Sequence, residues 1–341
     1  MTLVSAATSL VERLPLPDPL TRSGISWLVG RTRRKLAQDD PEFERMFAAE
    51  MDRRGVAEFA KAAREQHYDV SPAFFILVLG PRRKYSSCLY ESGATTLAEA
   101  EDRALAETCA HAELADGQTI LELGCGWGSL SLWMAETYPA ARITAVSNSA
   151  SQRAYIQDMA SLKGITNLTV ITADMNSFAP EGKFDRIVSV EMFEHMSNWR
   201  ALLGRIRGWT APGGKLFLHV FSHRSRPYRF DQADKEDWIA QHFFTGGVMP
   251  SHGLIRQFGD LFVVEQDWTW NGLHYQRTAM DWLANFDAQS EAVNRVLRSV
   301  YGAEAALWGR RWRLFFLATA GLFGHAGGTE WGVSHYRLSP A

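Results

Sequence analysis

Between residues 119 and 221, apolar segments of strand length alternate with helix-favouring ones, and no other feature constrains the fold as strongly. Strands are expected at 119–124, 142–147, 168–172, 184–190 and 215–221, with helices at 128–138 and from Ser149, a natural N-cap, toward Lys163. Pro212-Gly213-Gly214 is expected to turn into the last strand. Such alternation predicts an α/β fold, a mostly parallel sheet with helices on both faces. Residues 1–114 read as an N-terminal helical region, broken by Pro15, Pro17, Pro19, Pro72 and Pro81. They include a polar helix-favouring stretch at 41–63 and an amphipathic helix at 97–112. The remainder, 115–341, reads as a core with a helical insertion at about 223–320. Two further strands (262–268 and 332–338) and a helical stretch at 281–301 are expected there.

In an open parallel sheet, ligands bind beyond the carboxyl ends of the strands. Residues 121–128, LELGCGWG, lie at the end of the first strand. Gly124, Gly126 and Gly128 let the backbone turn sharply and approach a ligand with no Cβ in the way. A dinucleotide fingerprint would need glycine at Ser129 and an acid after the second strand, where the chain has Ser147, Asn148 and Ser149. The spacing E-x-G-x-G-x-G instead resembles the first motif of class I, Rossmann-like methyltransferases, which bind S-adenosyl-L-methionine (SAM) and release S-adenosyl-L-homocysteine. That resemblance implies Asp174, with Met175, beside the adenine. Asn148 and Gln152 stand where a ribose acid is usual; a helix-capping aspartate is the lesser alternative for Asp174.

Longer motifs narrow the resemblance. Tyr85-Ser86, the segment 97–107, LELGCGWGSL, EMFEHM (191–196), FFTGGVMP (243–250), WNGLHY (270–275) and Glu330-Trp331 resemble the cyclopropane fatty acid synthase superfamily. Within it they are most similar to the coclaurine N-methyltransferase-like branch. The resemblance runs from about Glu65 onward and implies Tyr85 and Ser86 at the cofactor. It also implies Glu191, Glu194 and His195 as the catalytic group, and His219, Phe221, Trp270 and Tyr275 beside the substrate. Cyclopropane synthases hold bicarbonate as their base, and the corresponding positions are Ser87, Glu194, His219, Phe221 and Tyr275. Here the usual cysteine is Ser87, the aliphatic position is Phe221, and the residue before MFEH is Glu191 rather than glycine. A second carboxylate repels bicarbonate and attracts a cationic amine.

The expectation is therefore a SAM-dependent N-methyltransferase acting on a small aromatic or cyclic amine, a Glu/His pair holding and deprotonating it. The alternatives are a synthase-like enzyme acting on unsaturated phospholipid acyl chains and a SAM-binding protein without turnover. Composition adds exclusions. With 36 basic and 38 acidic residues, net charge −2, nucleic acid is not an expected partner. Cys88, Cys109 and Cys125 suggest neither a metal site nor a disulfide set. Glu12 and Arg13 interrupt the first apolar stretch, so a signal peptide is not expected, and the apolar runs 74–79 and 314–323 are too short to span a bilayer as helices, so neither is stable membrane insertion. A cytoplasmic protein, monomeric or homodimeric, is expected.

Overall fold

The computed structural model describes residues 12, 14, 16–37, 40, 42–59, 70–91 and 95–341. Pro15, Pro41, residues 60–69, residues 1–11 and Arg13, one of the two residues on which the signal-peptide expectation rests, lie outside them. In chain order, α1 spans Asp18–Leu36, α2 Phe43–Met51, α3 Pro72–Val78 and α4 Leu97–His111. Then follow β1 (Thr119–Leu123), α5 (Ser129–Thr137), β2 (Arg142–Ser147), α6 (Ala150–Leu162), β3 (Leu168–Thr172) and β4 (Phe184–Val190). A short 3-10 turn, Phe193–His195, leads into α7 (Trp199–Trp209) and β5 (Thr210–His223). Beyond these lie β6 (Tyr228–Arg229), α8 (Trp238–His242), β7 (Val248–Met249), β8 (Phe262–Asn271), α9 (Gly272–Ala288), α10 (Ser290–Tyr301), α11 (Ala305–Phe323) and β9 (Trp331–Pro340).

Seven strands form one sheet in the order β3-β2-β1-β4-β5-β9-β8. The first five are parallel, and β9 runs antiparallel to both β5 and β8. Successive residues of a strand face opposite sides, and the packing follows that alternation. Ile120, Val188 and Phe217 meet α4 and α5, whereas Leu121, Ile187 and Leu216 meet α7. The chain reverses its winding between β1 and β4, so a crevice opens there at the strand ends.

Local chemistry sets the helix boundaries. Thr96 and Glu99 form a reciprocal capping box at α4, and Ser149 caps α6 by accepting from the Gln152 N–H. The helical stretch expected at 281–301 is two helices, α9 and α10, meeting at Gln289. Pro212-Gly213-Gly214 lies inside β5, at an irregularity where pairing with β4 passes from Phe184–Thr210 to Arg186–Lys215. The strand expected at 262–268 is β8, which lies within the segment 223–320 and joins the sheet beside β9. Over the strand ends α11 carries Trp312, fully buried, its ring 4.6 Å from Phe74 and 5.0 Å from Phe243. Among the described residues no helix is long and apolar enough to cross a membrane.

Candidate active site

Two lobes of one cleft share Gly124, Gly126 and Glu191 in their walls. The glycines differ in what they permit. At Gly124 (φ +81°) a Cβ would come within 2.5 Å of the Met192 side chain, so the loop is closely packed there. At Gly126 (φ +52°) a Cβ would meet nothing, because it would enter the cleft. Gly128 lines neither lobe; it is the left-handed N-cap of α5 and packs against Ile156.

Asn148, Gln152, Asp174 and Met175 line the first lobe, together with Met192 and His195. Asp174 spends one carboxylate oxygen on the Asn176 N–H and side-chain amide. Gln152 accepts from the Ser147 hydroxyl at 2.5 Å, and its own amide nitrogen is buried without a partner. Tyr85 and Ser86 line the second lobe. So do Arg83, Trp127 and Ser129, whose Nε, Nε1 and Oγ are buried with no partner. A buried donor left unpaired costs about 1–3 kcal/mol, so four such groups around one cleft fit a ligand with an anionic end and a polar ring system. Motif reading missed Arg83, Trp127 and Ser129; an unusual left-handed φ of +58° at Arg83 is visible only in three dimensions. Glu122 also reaches this lobe, where burial pushes its carboxyl up to about 7 against a hydrogen bond from Ser131.

Glu191 ends β4 in a left-handed conformation, φ +46°, a strained geometry for a residue bearing a Cβ. Its amide donates to the His219 carbonyl oxygen at 2.8 Å. Three groups then hold its carboxylate. The Ser87 N–H donates to Oε1 at 3.0 Å, His219 Nε2 lies 3.2 Å from the same oxygen, and the Tyr275 hydroxyl donates to Oε2 at 2.7 Å. Glu194 is fully buried: Oε1 accepts from the Phe221 N–H at 2.7 Å, and Oε2 has no partner. Burial raises both carboxyl groups above the usual range, and for Glu194 the neighbouring Glu191 adds to the rise. The buried Lys84 ammonium and the Ser87 and Tyr275 hydrogen bonds oppose the rise at Glu191.

These contacts place the expected substrate residues around the two carboxyl groups. His219, Phe221, Trp270 and Tyr275 line neither lobe. His219 and Tyr275 stand behind Glu191, Phe221 offers its backbone N–H to Glu194, and Trp270 packs edge-on to His219 with centroids 5.4 Å apart. Of the expected catalytic group, Glu191 and His195 face the cleft and Glu194 lies behind them; the His195 ring is 4.4 Å from Phe244. The bicarbonate positions converge as well, but on the protein itself. Ser87, His219 and Tyr275 hold the Glu191 carboxylate, and Phe221 holds Glu194.

The sequence pattern of the mycolic acid cyclopropane synthetase family matches residues 57–326. The chain belongs to this family. Its relatives include the (S)-coclaurine N-methyltransferase of Thalictrum flavum subsp. glaucum, 36% identical over 80% of this chain and 76% of the relative. A solved coclaurine N-methyltransferase bound to N-methylheliamine and SAH superposes with a TM-score of 0.93 at 30% identity, covering 98% of this chain and 99% of that one. The cyclopropane-fatty-acyl-phospholipid synthase of Escherichia coli (strain K12) is 31% identical over 65% of this chain and 56% of its own length. This family member thus resembles the N-methyltransferase over a larger share of both chains than the synthase.

Proposed function

We propose that the protein is a SAM-dependent N-methyltransferase acting on a small aromatic or cyclic, secondary or tertiary amine. The observation that carries this reading is the Glu191 carboxylate, which lines both lobes and holds the donors that a bicarbonate ion would need. Two adjacent buried carboxyl groups cannot both be ionised without a cation between or beside them. A substrate ammonium beside Glu191 supplies that charge, and Glu194, buried behind Glu191 with Oε2 unpartnered, adds to the negative potential it meets. The lipid-modifying alternative is disfavoured because Glu191 fills the place of the base that chemistry uses. The coclaurine N-methyltransferase relatives favour the amine independently.

In this reading Arg83, Trp127 and Ser129 hold the amino-acid carboxylate of SAM, Asn148 and Gln152 the ribose, and Asp174 and Met175 the adenine. SAM supplies a sulfonium-bound methyl group that a nitrogen lone pair can displace. The protein's own work is to provide that lone pair. An aliphatic amine is largely protonated near pH 7, so Glu191 holds the ammonium, backed by the Glu194 carboxyl group, while His195, on the cleft wall, takes its proton. Alignment of two bound reactants supplies much of the remaining acceleration. The helices before β1, with those between β5 and β9, form the wall that selects the amine.

The reading is tested by incubating the protein with methyl-labelled SAM, a panel of cyclic and benzylic amines, and unsaturated phospholipid vesicles. Label is expected in the amines; label confined to lipid acyl chains would overturn the assignment. Gly126→Val tests the cofactor lobe. A β-branched residue is strained at φ +52° and its side chain enters the cleft. SAM affinity, measured by calorimetry, should fall by about 100-fold or more, from strain of roughly 1–3 kcal/mol plus lost contacts.

A further inference from the structure

Behind Glu191 the structure places three histidines in a line. His219 Nε2 is 3.2 Å from Glu191 Oε1, and His219 Nδ1 is 2.8 Å from His335 Nε2. His335 Nδ1 lies 2.8 Å from His111 Nδ1, and His111 Nε2 is 2.9 Å from Glu107 Oε1. His219 and His335 are fully buried cross-strand partners on β5 and β9, and His111 ends α4. The Glu107 side chain is 34% exposed, so the line runs from the cleft to solvent. Trp270 packs against His219 and His335, Phe217 against His335, and Trp268 stacks on His111 at 3.8 Å and 7°. The rings are held in place by this packing.

Proton counting shows what such a line can do. Four hydrogen bonds in series need four protons, and three neutral imidazoles bring three. The fourth sits at one end. With it on Glu191, all three rings are neutral and donate outward, His111 Nε2–H donating to Glu107. With it on His111, Glu191 is a carboxylate and every ring donates inward. The two states interconvert when one proton crosses each of three hydrogen bonds. The Glu191 O–H breaks as His219 Nε2–H forms, His219 Nδ1–H breaks as His335 Nε2–H forms, and His335 Nδ1–H breaks as His111 Nδ1–H forms.

We propose that this line is a proton relay that sets the charge of Glu191, discharging it to His111 and the Glu107 carboxylate when a cation enters the cleft and returning the proton when the cation leaves. The proposal rests on Glu191 being the carboxylate that receives an ammonium. Burial holds His219 and His335 well below the usual histidine range, consistent with neutral central rings. The charged neighbours of the line are few. Lys84 faces His219 and His335, while Glu107, Glu91 and Arg337 face His111; the Arg337 guanidinium also donates to the His111 carbonyl oxygen. His111, His219 and His335 are thus positioning residues.

The test needs no substrate, so it stands apart from the fate of the amine assignment. The His111 titration is followed by imidazole 15N NMR in the full chain, with and without Glu191→Gln, in the native background and with the line cut by His335→Phe. His335→Gln serves as a second cut that retains polarity. In the native background Glu191→Gln should move the His111 midpoint by about one pH unit or more, as for strongly coupled sites. That response should vanish in whichever cut variant folds. An equal response with and without the cut would show action through space, and no response in the native background would show no coupling. Either result overturns the relay.

Discussion

Replacing Glu191 with glutamine should lower kcat for amine methylation by about 1,000-fold while leaving SAM affinity within a few-fold of the native protein. Glutamine keeps the shape: its Oε1 can still accept the Ser87 N–H, and its amide N–H donates to the Tyr275 hydroxyl oxygen in place of the bond that hydroxyl gave to the carboxylate. What it removes is the negative charge that stabilises an ammonium in a buried site, and preorganised groups of this kind are typically worth about 100- to 1,000-fold each. The relay adds to the loss, because an amide in place of the carboxylate cannot receive or release a proton. The amine KM should rise as well, since the same charge contributes to ground-state binding. Steady-state kinetics paired with SAM calorimetry separates these effects. Native kcat in this variant would contradict the assignment.

The second large effect is expected at His195 and Glu194. His195→Ala should reduce kcat by about 100- to 10,000-fold, the usual contribution of a positioned general base. The sign of its pH dependence follows from the chemistry. Below the amine's own pKa the nitrogen carries a proton that the protein must remove. As pH rises toward that value, free amine accumulates and the missing base matters less. The ratio of native to variant kcat should therefore shrink as pH rises. Glu194→Gln should behave differently. Its carbonyl can still accept from the Phe221 N–H, so folding is retained, but the carboxyl group behind Glu191 that adds to the negative potential on the ammonium is lost. A decrease of about 100-fold, expressed in amine kcat/KM more than in SAM binding, is the expected result. If both variants kept native rates at pH 7, another group would have to take the proton.

Much of the core was readable from sequence because its signals are local. Strand-length apolar runs recur at 142–147, 168–172 and 184–190 and match β2, β3 and β4 residue for residue. Ser149 and the glycine loop carry their own chemistry. The helical cover was less legible. The long α11, with sequence AALWGRRWRLFFLATAGLF, mixes apolar and basic residues so thoroughly that its buried face cannot be read from period alone. The site divided in the same way. Gly124, Gly126, Asn148, Asp174 and Met175 follow strand ends, so their position on the cleft wall could be expected by rule, whereas Gly128 caps α5 instead. The partners of Glu191 could not: Ser87 is 104 residues away, Tyr275 84, and His335 joins His219 across 116. Those contacts depend on the β5–β9 register and on where α4 and α9 dock. Family resemblance named Ser87, His219 and Tyr275 as a group but assigned them to an external ion or to substrate, not to the carboxylate they hold.

The central claim is that Glu191 provides, within the chain, the anion that a cyclopropane synthase takes from solution. It is tested most directly by measuring N-methylation of a cyclic amine by the native protein and by Glu191→Gly, each in carbonate-free buffer and with added bicarbonate. The native rate should be indifferent to bicarbonate, and Glu191→Gly, nearly inactive alone, should regain activity as bicarbonate is added. A native enzyme that requires bicarbonate, or a glycine variant as active as the native protein without it, would contradict the account.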